Sequence, residues 1–119
     1  MAEAFEVAVV EEGPYLRVRA TGTYAAERVR QLIERVAAEA GRRGARRVLL
    51  DAYDVIGGPS TMDRYAQGVE AARQFKFRTA CIVRREYVDY FSETVARNRG
   101  ANVRIFTDEP SACAWLVAD

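Results

Sequence analysis

Three short runs set the strongest limit on the fold: "RVLLDA" (47–52), "RTACIVR" (78–84) and "NVRIFT" (102–107). Each is of strand length and mainly apolar rather than regularly alternating, the third interrupted only by Arg104. That pattern belongs to strands covered on both faces, the condition of a parallel sheet between helices. The stretches between them carry apolar residues at spacings of three and four, the period of a helix with one buried face. Val29, Leu32, Ile33, Val36, Ala37 and Ala40 mark the first such face, with Gly44 as its C-cap. Met62, Ala66, Val69 and Ala72 mark a second, and Val88, Phe91 and Val95 a third. At the front of the chain, Phe5, Val7 and Val9 alternate with polar or small residues, as do Leu16, Val18 and Ala20 after the Gly13–Pro14 turn. This is a hairpin pattern. "DEPSACAWLVAD" closes the chain as a short helix with Pro110 in its first turn. The order ββαβαβαβα predicts one α/β domain over 1–119. Its sheet is mixed and mostly parallel, with an antiparallel N-terminal edge and packed helices.

With 119 residues, the chain is long enough for one hydrophobic core. No apolar run approaches the roughly 18 residues of a membrane span, so no integral membrane segment is expected. The N-terminus "MAEAFEVAVVEEG" lacks the basic start and long apolar stretch of a secretory signal, and a cytoplasmic protein is expected. A net charge of +1 gives no general attraction to nucleic acid. The basic cluster "RRGARR" (42–47) reads as a solvated helix end. There is no histidine, which excludes His-based triads and the usual zinc sites. Cys81 and Cys113 have no CxxC spacing and read as reduced thiols in the body of the fold.

The most informative stretch is "LLDAYDVIGGPSTMDRY" (49–65). Asp51 is placed at the end of a central strand, residues 52–59 form a loop, and a helix begins near Ser60. Ligands of open α/β sheets gather at such strand ends. Ser60 and Asp63 have capping-box spacing: the hydroxyl accepts from the backbone of Asp63, and the carboxylate reaches back. Gly57 and Gly58 let the loop turn sharply. A helix start also tolerates phosphate, so Ser60 and Thr61 are either a cap alone or a phosphoacceptor as well. Asp51, Asp54 and Asp63 have the oxygens Mg2+ prefers, but no motif fixes their spacing. No metal and no cofactor is expected.

Carried on these residues, the chain resembles a STAS-like domain, the branch related to stage II sporulation protein AA. In the bacterial anti-sigma-factor antagonists of that fold, a central strand ends in an aspartate and a hydroxyl begins the next helix. A partner kinase phosphorylates it and releases a complex. Here Ser60 stands nine residues after Asp51, with Thr61 adjacent. "GGPSTMDRY" and "VRIFTDEPSACAWLVAD" fit the sporulation-protein-like branch, which also resembles the CRAL-TRIO lipid-binding fold. The sequence departs from the antagonists at Pro59 before the hydroxyl and at Met62–Asp63 after it. An acidic residue and a glycine would stand there in the antagonists.

The resemblance implies a non-enzymatic regulatory module that binds a protein partner, such as a kinase or an anti-sigma-type regulator. The implied face runs from Asp51 to Asp63 and includes Asp54, Gly57 and Gly58. The alternative is a binding protein for a lipid or other small apolar ligand held between helix and sheet. Tyr87 and Tyr90 stand partly off the third helical stripe, and with Phe91 they are expected at an interface, including that of a homodimer.

Overall fold

The computed structural model describes residues 4–88 and 90–118. Its elements are β1 (Glu6–Glu12), β2 (Tyr15–Thr23), α1 (Ala26–Arg43), β3 (Arg47–Ile56), α2 (Thr61–Gln74), β4 (Arg78–Ile82), α3 (Tyr90–Asn98), β5 (Val103–Phe106) and α4 (Glu109–Val117). A single 3-10 turn, Arg85–Tyr87, precedes α3. The order read from the sequence is the order found.

The five strands lie in the sheet in chain order. β1 runs antiparallel to β2, and β2 to β5 are mutually parallel. Each parallel step moves one place in the same direction across the sheet. The right-handed crossover rule then puts α1, α2 and α3 on one face. No crossover constrains α4, which follows the last strand and covers the other face.

Two cores result. Leu16, Val18, Val48, Leu50 and Val103 pack towards α1–α3, with Leu32, Ile33, Val36 and Phe75 from the helix layer. Leu49, Ala80 and Ile82 pack against Ala112 and Leu116 of α4. Successive residues of β3 thus enter opposite cores, which is why this run is apolar without a break. Trp115 packs α4 on the sheet, 5.8 Å from the Phe106 ring and with the Arg78 guanidinium 4.2 Å above it.

β3 is longer than the sequence suggests. It runs to Ile56, and so residues 52–56 are strand and the loop begins at Gly57. Thr21 to Thr23 of β2 pair with Asp54 to Ile56, which extends the ladder. Between Arg19↔Asp51 and Thr21↔Asp54, both Ala52 and Tyr53 oppose Ala20. This is a β-bulge, and its extra residue reverses the alternation. Asp54 is thereby turned out to meet Arg19, and Val55 returns to the core at 8% exposure. The third helical stripe also differs. Val88 lies before α3, and Phe91 is exposed, so Val95 and Ala96 are the buried apolar residues of this short helix.

The first two arginines of the basic cluster, Arg42 and Arg43, are ion-paired. Arg35, Arg42 and Arg43 all pair with Glu39, whose carboxyl is held below its ordinary value, chiefly by Arg43. Gly44, at φ 63°, closes α1 in the left-handed conformation.

Candidate functional site at the starts of α2 and α3

Ser60 caps α2: its Oγ accepts from the backbone N–H of Asp63 at 3.2 Å. The return half of the capping box is replaced. The Asp63 carboxylate accepts instead from the Tyr24 hydroxyl at 3.0 Å, and Gln67 Nε2 donates to that hydroxyl at 2.7 Å. Tyr24 also donates its backbone N–H to Ile56 at 2.7 Å. One tyrosine therefore ties the end of β3 to the first two turns of α2. Burial, and then the bond to Asp63, push its hydroxyl up to about 12. Tyr24 was not legible as a site residue, because its partners lie 39 and 43 residues away.

The loop is shaped by its glycines. Gly57 has φ 104°, and a Cβ there would sit 3.1 Å from Tyr24 Cβ. A Cβ on Gly58 would come to 3.3 Å from the Tyr87 ring. The loop thus lies against both tyrosines, and the starts of α2 and α3 are brought side by side. Met62 is 82% exposed and Tyr90 59%, and Tyr65 and Phe91 are exposed on the same two helices, the Tyr65 hydroxyl accepting from Arg99 at 3.0 Å. Ser60 and Thr61 are exposed, whereas Tyr87 is half-buried.

Asp51 and Asp54 do not join this group. Asp51 lies on the α4 side of the sheet, 3.8 Å from Arg17, and accepts from the backbone of Tyr53 at 3.1 Å. Arg17 in turn holds Glu109 of α4 with two bonds of 3.0 Å. Asp54 pairs with Arg19 and, at 3.4 Å, with Arg84. The three aspartates are separately engaged, and among the described residues no group of three or more Asp, Glu or Cys is placed to hold a metal ion.

Replacing Ser60 with alanine is expected to lower stability by about 1 kcal/mol, the usual worth of an N-cap side chain. Urea denaturation followed by circular dichroism measures this. An unchanged midpoint would show that the cap contributes nothing.

Behind the loop, between the α1–α3 layer and the sheet, lies a partly open cavity of about 160 Å³. Its wall is overwhelmingly apolar. Leu50, Val55, Phe75, Val103 and Ile105 contribute large side chains. The space exists because Ala52, Gly68, Ala71, Thr79, Cys81 and Ala96 are small. Tyr24, Gly57 and Pro59 also border it, so the cavity reaches the underside of the loop that carries Ser60.

Cys81 lines the cavity from β4. Burial, assisted by the Asp51 carboxylate, pushes its thiol up to about 12. A raised thiol pKa keeps the sulfur protonated, and the thiolate is the reactive species. In the folded protein Cys81 is therefore expected to resist iodoacetamide at pH 8.5 and to react after unfolding in urea. Peptide mass spectrometry reads this out. Rapid native labelling would contradict it.

No protein-family model matches the sequence, and no curated protein matches it either. Among solved structures, the chain is similar to an uncharacterized protein of the DUF3478 family from Shewanella loihica PV-4, described as having a SpoIIAA-like fold. The two share 18% identity over 98% of each chain, with a TM-score of 0.56. The chain has a SpoIIAA-like fold. The likeness spans the hairpin, the three crossovers and the terminal helix. At this identity it carries the architecture and none of the side-chain chemistry.

Proposed function

We propose that this chain is a non-enzymatic regulatory module that binds a protein partner through the starts of α2 and α3. The observation that carries the reading is the exposure of Met62 and Tyr65 on α2, in its first two turns after the Ser60 cap, and of Tyr90 and Phe91 at the start of α3. Large apolar and aromatic side chains at the surface are the usual anchors of an interface, and Met adapts to varied partners. The SpoIIAA-like fold supports the same reading. The chemistry nearby supports binding rather than catalysis. The Ser60 hydroxyl is engaged by the helix, the Asp63 carboxylate by Tyr24, and the Cys81 thiol is held protonated.

The surface begins at the Gly57–Gly58 loop, and Asp51 and Asp54 lie outside it, on Arg17 and Arg19. Ser60 and Thr61 lie at its centre, where a phosphate would meet the free N–H groups of the helix start and the opposing charge of Asp63. Phosphorylation of either hydroxyl would make the surface switchable, and mass spectrometry of protein from the native host tests this.

The binding reading is tested by Met62→Asp and Tyr90→Ala. Both side chains are mostly exposed, so the fold should survive, as circular dichroism can verify. Partner capture should fall at least tenfold, since an interface anchor is worth upward of about 1–2 kcal/mol. Retained capture by both variants would move the interface elsewhere. If light scattering shows a dimer that Tyr90→Ala dissolves, the partner is a second copy.

A further inference from the structure

We infer that the cavity between the α1–α3 layer and the sheet takes up one small, neutral, apolar molecule of single-ring size. Three observations fix the class. The first is volume: about 160 Å³ is the scale of an apolar cavity that admits a benzene-sized guest. This volume suits a small molecule.

The second is charge. Among the described residues neither lysine nor arginine lines the cavity. Its one charged wall residue, Glu93, is already engaged: its carboxylate accepts the Ile105 backbone N–H at 2.9 Å and lies 3.5 Å from Arg97. An anionic ligand would be desolvated with no cation to receive it. The third is the polar inventory. Of the polar wall residues, Gln67 donates to the Tyr24 hydroxyl and that hydroxyl to Asp63, while the fully buried Thr79 hydroxyl donates to the Phe77 carbonyl at 3.3 Å and keeps its acceptor capacity. A single ligand hydroxyl is thereby accommodated, and a strongly polar molecule is not.

The test is methyl NMR of the intact protein titrated with toluene. Leu50, Val55, Val103 and Ile105 should shift and saturate, while Leu49 and Leu116, in the other core, stay still. Benzoate at equal concentration should shift none of them. Ala71→Leu, which fills the cavity, should abolish the toluene shifts and raise the melting temperature. If that variant does not fold, Cys81→Leu serves from the opposite wall. The inference is overturned if toluene gives no saturable shift, if both cores respond alike, if benzoate binds equally, or if toluene still binds to the filled variant. The surface proposed for the protein partner does not depend on the result.

Discussion

Replacing Gly68 with alanine is expected to destabilise the protein by about 1 kcal/mol, although alanine is the better helix former. Propensity alone would favour the substitution by about 1 kcal/mol. The packing term opposes it and is larger. A Cβ at Gly68 would fall 2.7 Å from the Ser92 carbonyl oxygen and 2.8 Å from Val95 Cβ and Cγ1. Backbone oxygen cannot rotate aside, so α2 and α3 must separate, and overpacking of this kind costs about 1–3 kcal/mol. Gly41, in α1, is the internal control. Nothing lies within 4 Å of a Cβ there, and Gly41→Ala should stabilise by about 0.5–1 kcal/mol. The same substitution in two helices should therefore have opposite signs. Equal signs in urea denaturation would refute the close approach of α2 to α3. Because α3 also carries Tyr90 and Phe91, Gly68→Ala should weaken partner binding as well.

Leu116→Ala should cost about 3 kcal/mol, within the usual range for a buried leucine. Leu116 is fully buried, and the core it belongs to is small: Leu49, Ala80, Ile82 and Ala112 are its buried companions. A helix as short as α4 is not stable on its own propensity and is held by docking. The variant should therefore loosen α4 before the rest of the domain unfolds. Trp115 is the sole tryptophan and sits between Phe106 and Arg78, so its emission reports this step. A red shift at a lower urea concentration than the loss of helical circular dichroism is expected. Coincident transitions with an unchanged midpoint would show that α4 is not anchored there.

Element order was legible because it rests on local periodicity. Continuous apolar runs become strands covered on both sides, and the three-and-four spacing becomes helices with one buried face. Ser60 as a cap was legible for the same reason, since an N-cap depends on residues three apart. The ends of elements were less so. Val88 was taken into α3 because a valine fits an apolar stripe whichever element holds it. β3 was cut short at Asp51 because a charged residue looks like the end of a buried strand. In the fold, Asp51 faces Arg17 and the ladder continues.

What the linear chain fixed, then, is everything that neighbouring side chains decide: strand, helix, cap and the single α/β domain. What needed the tertiary structure depends on residues brought together from far apart. The bulge opposite Ala20 turns Asp54 away from the core, and period-two reasoning cannot foresee an extra residue. The sheet separates Asp51 from Ser60, since alternation sends one to the α4 side while the helix layer carries the other. Tyr24 reaches Asp63 because β2 and β3 are neighbours with α2 packed above them. The cavity arises from small residues on four different elements that face one another, and no single segment reveals that their volumes fall short of filling the space between helix and sheet.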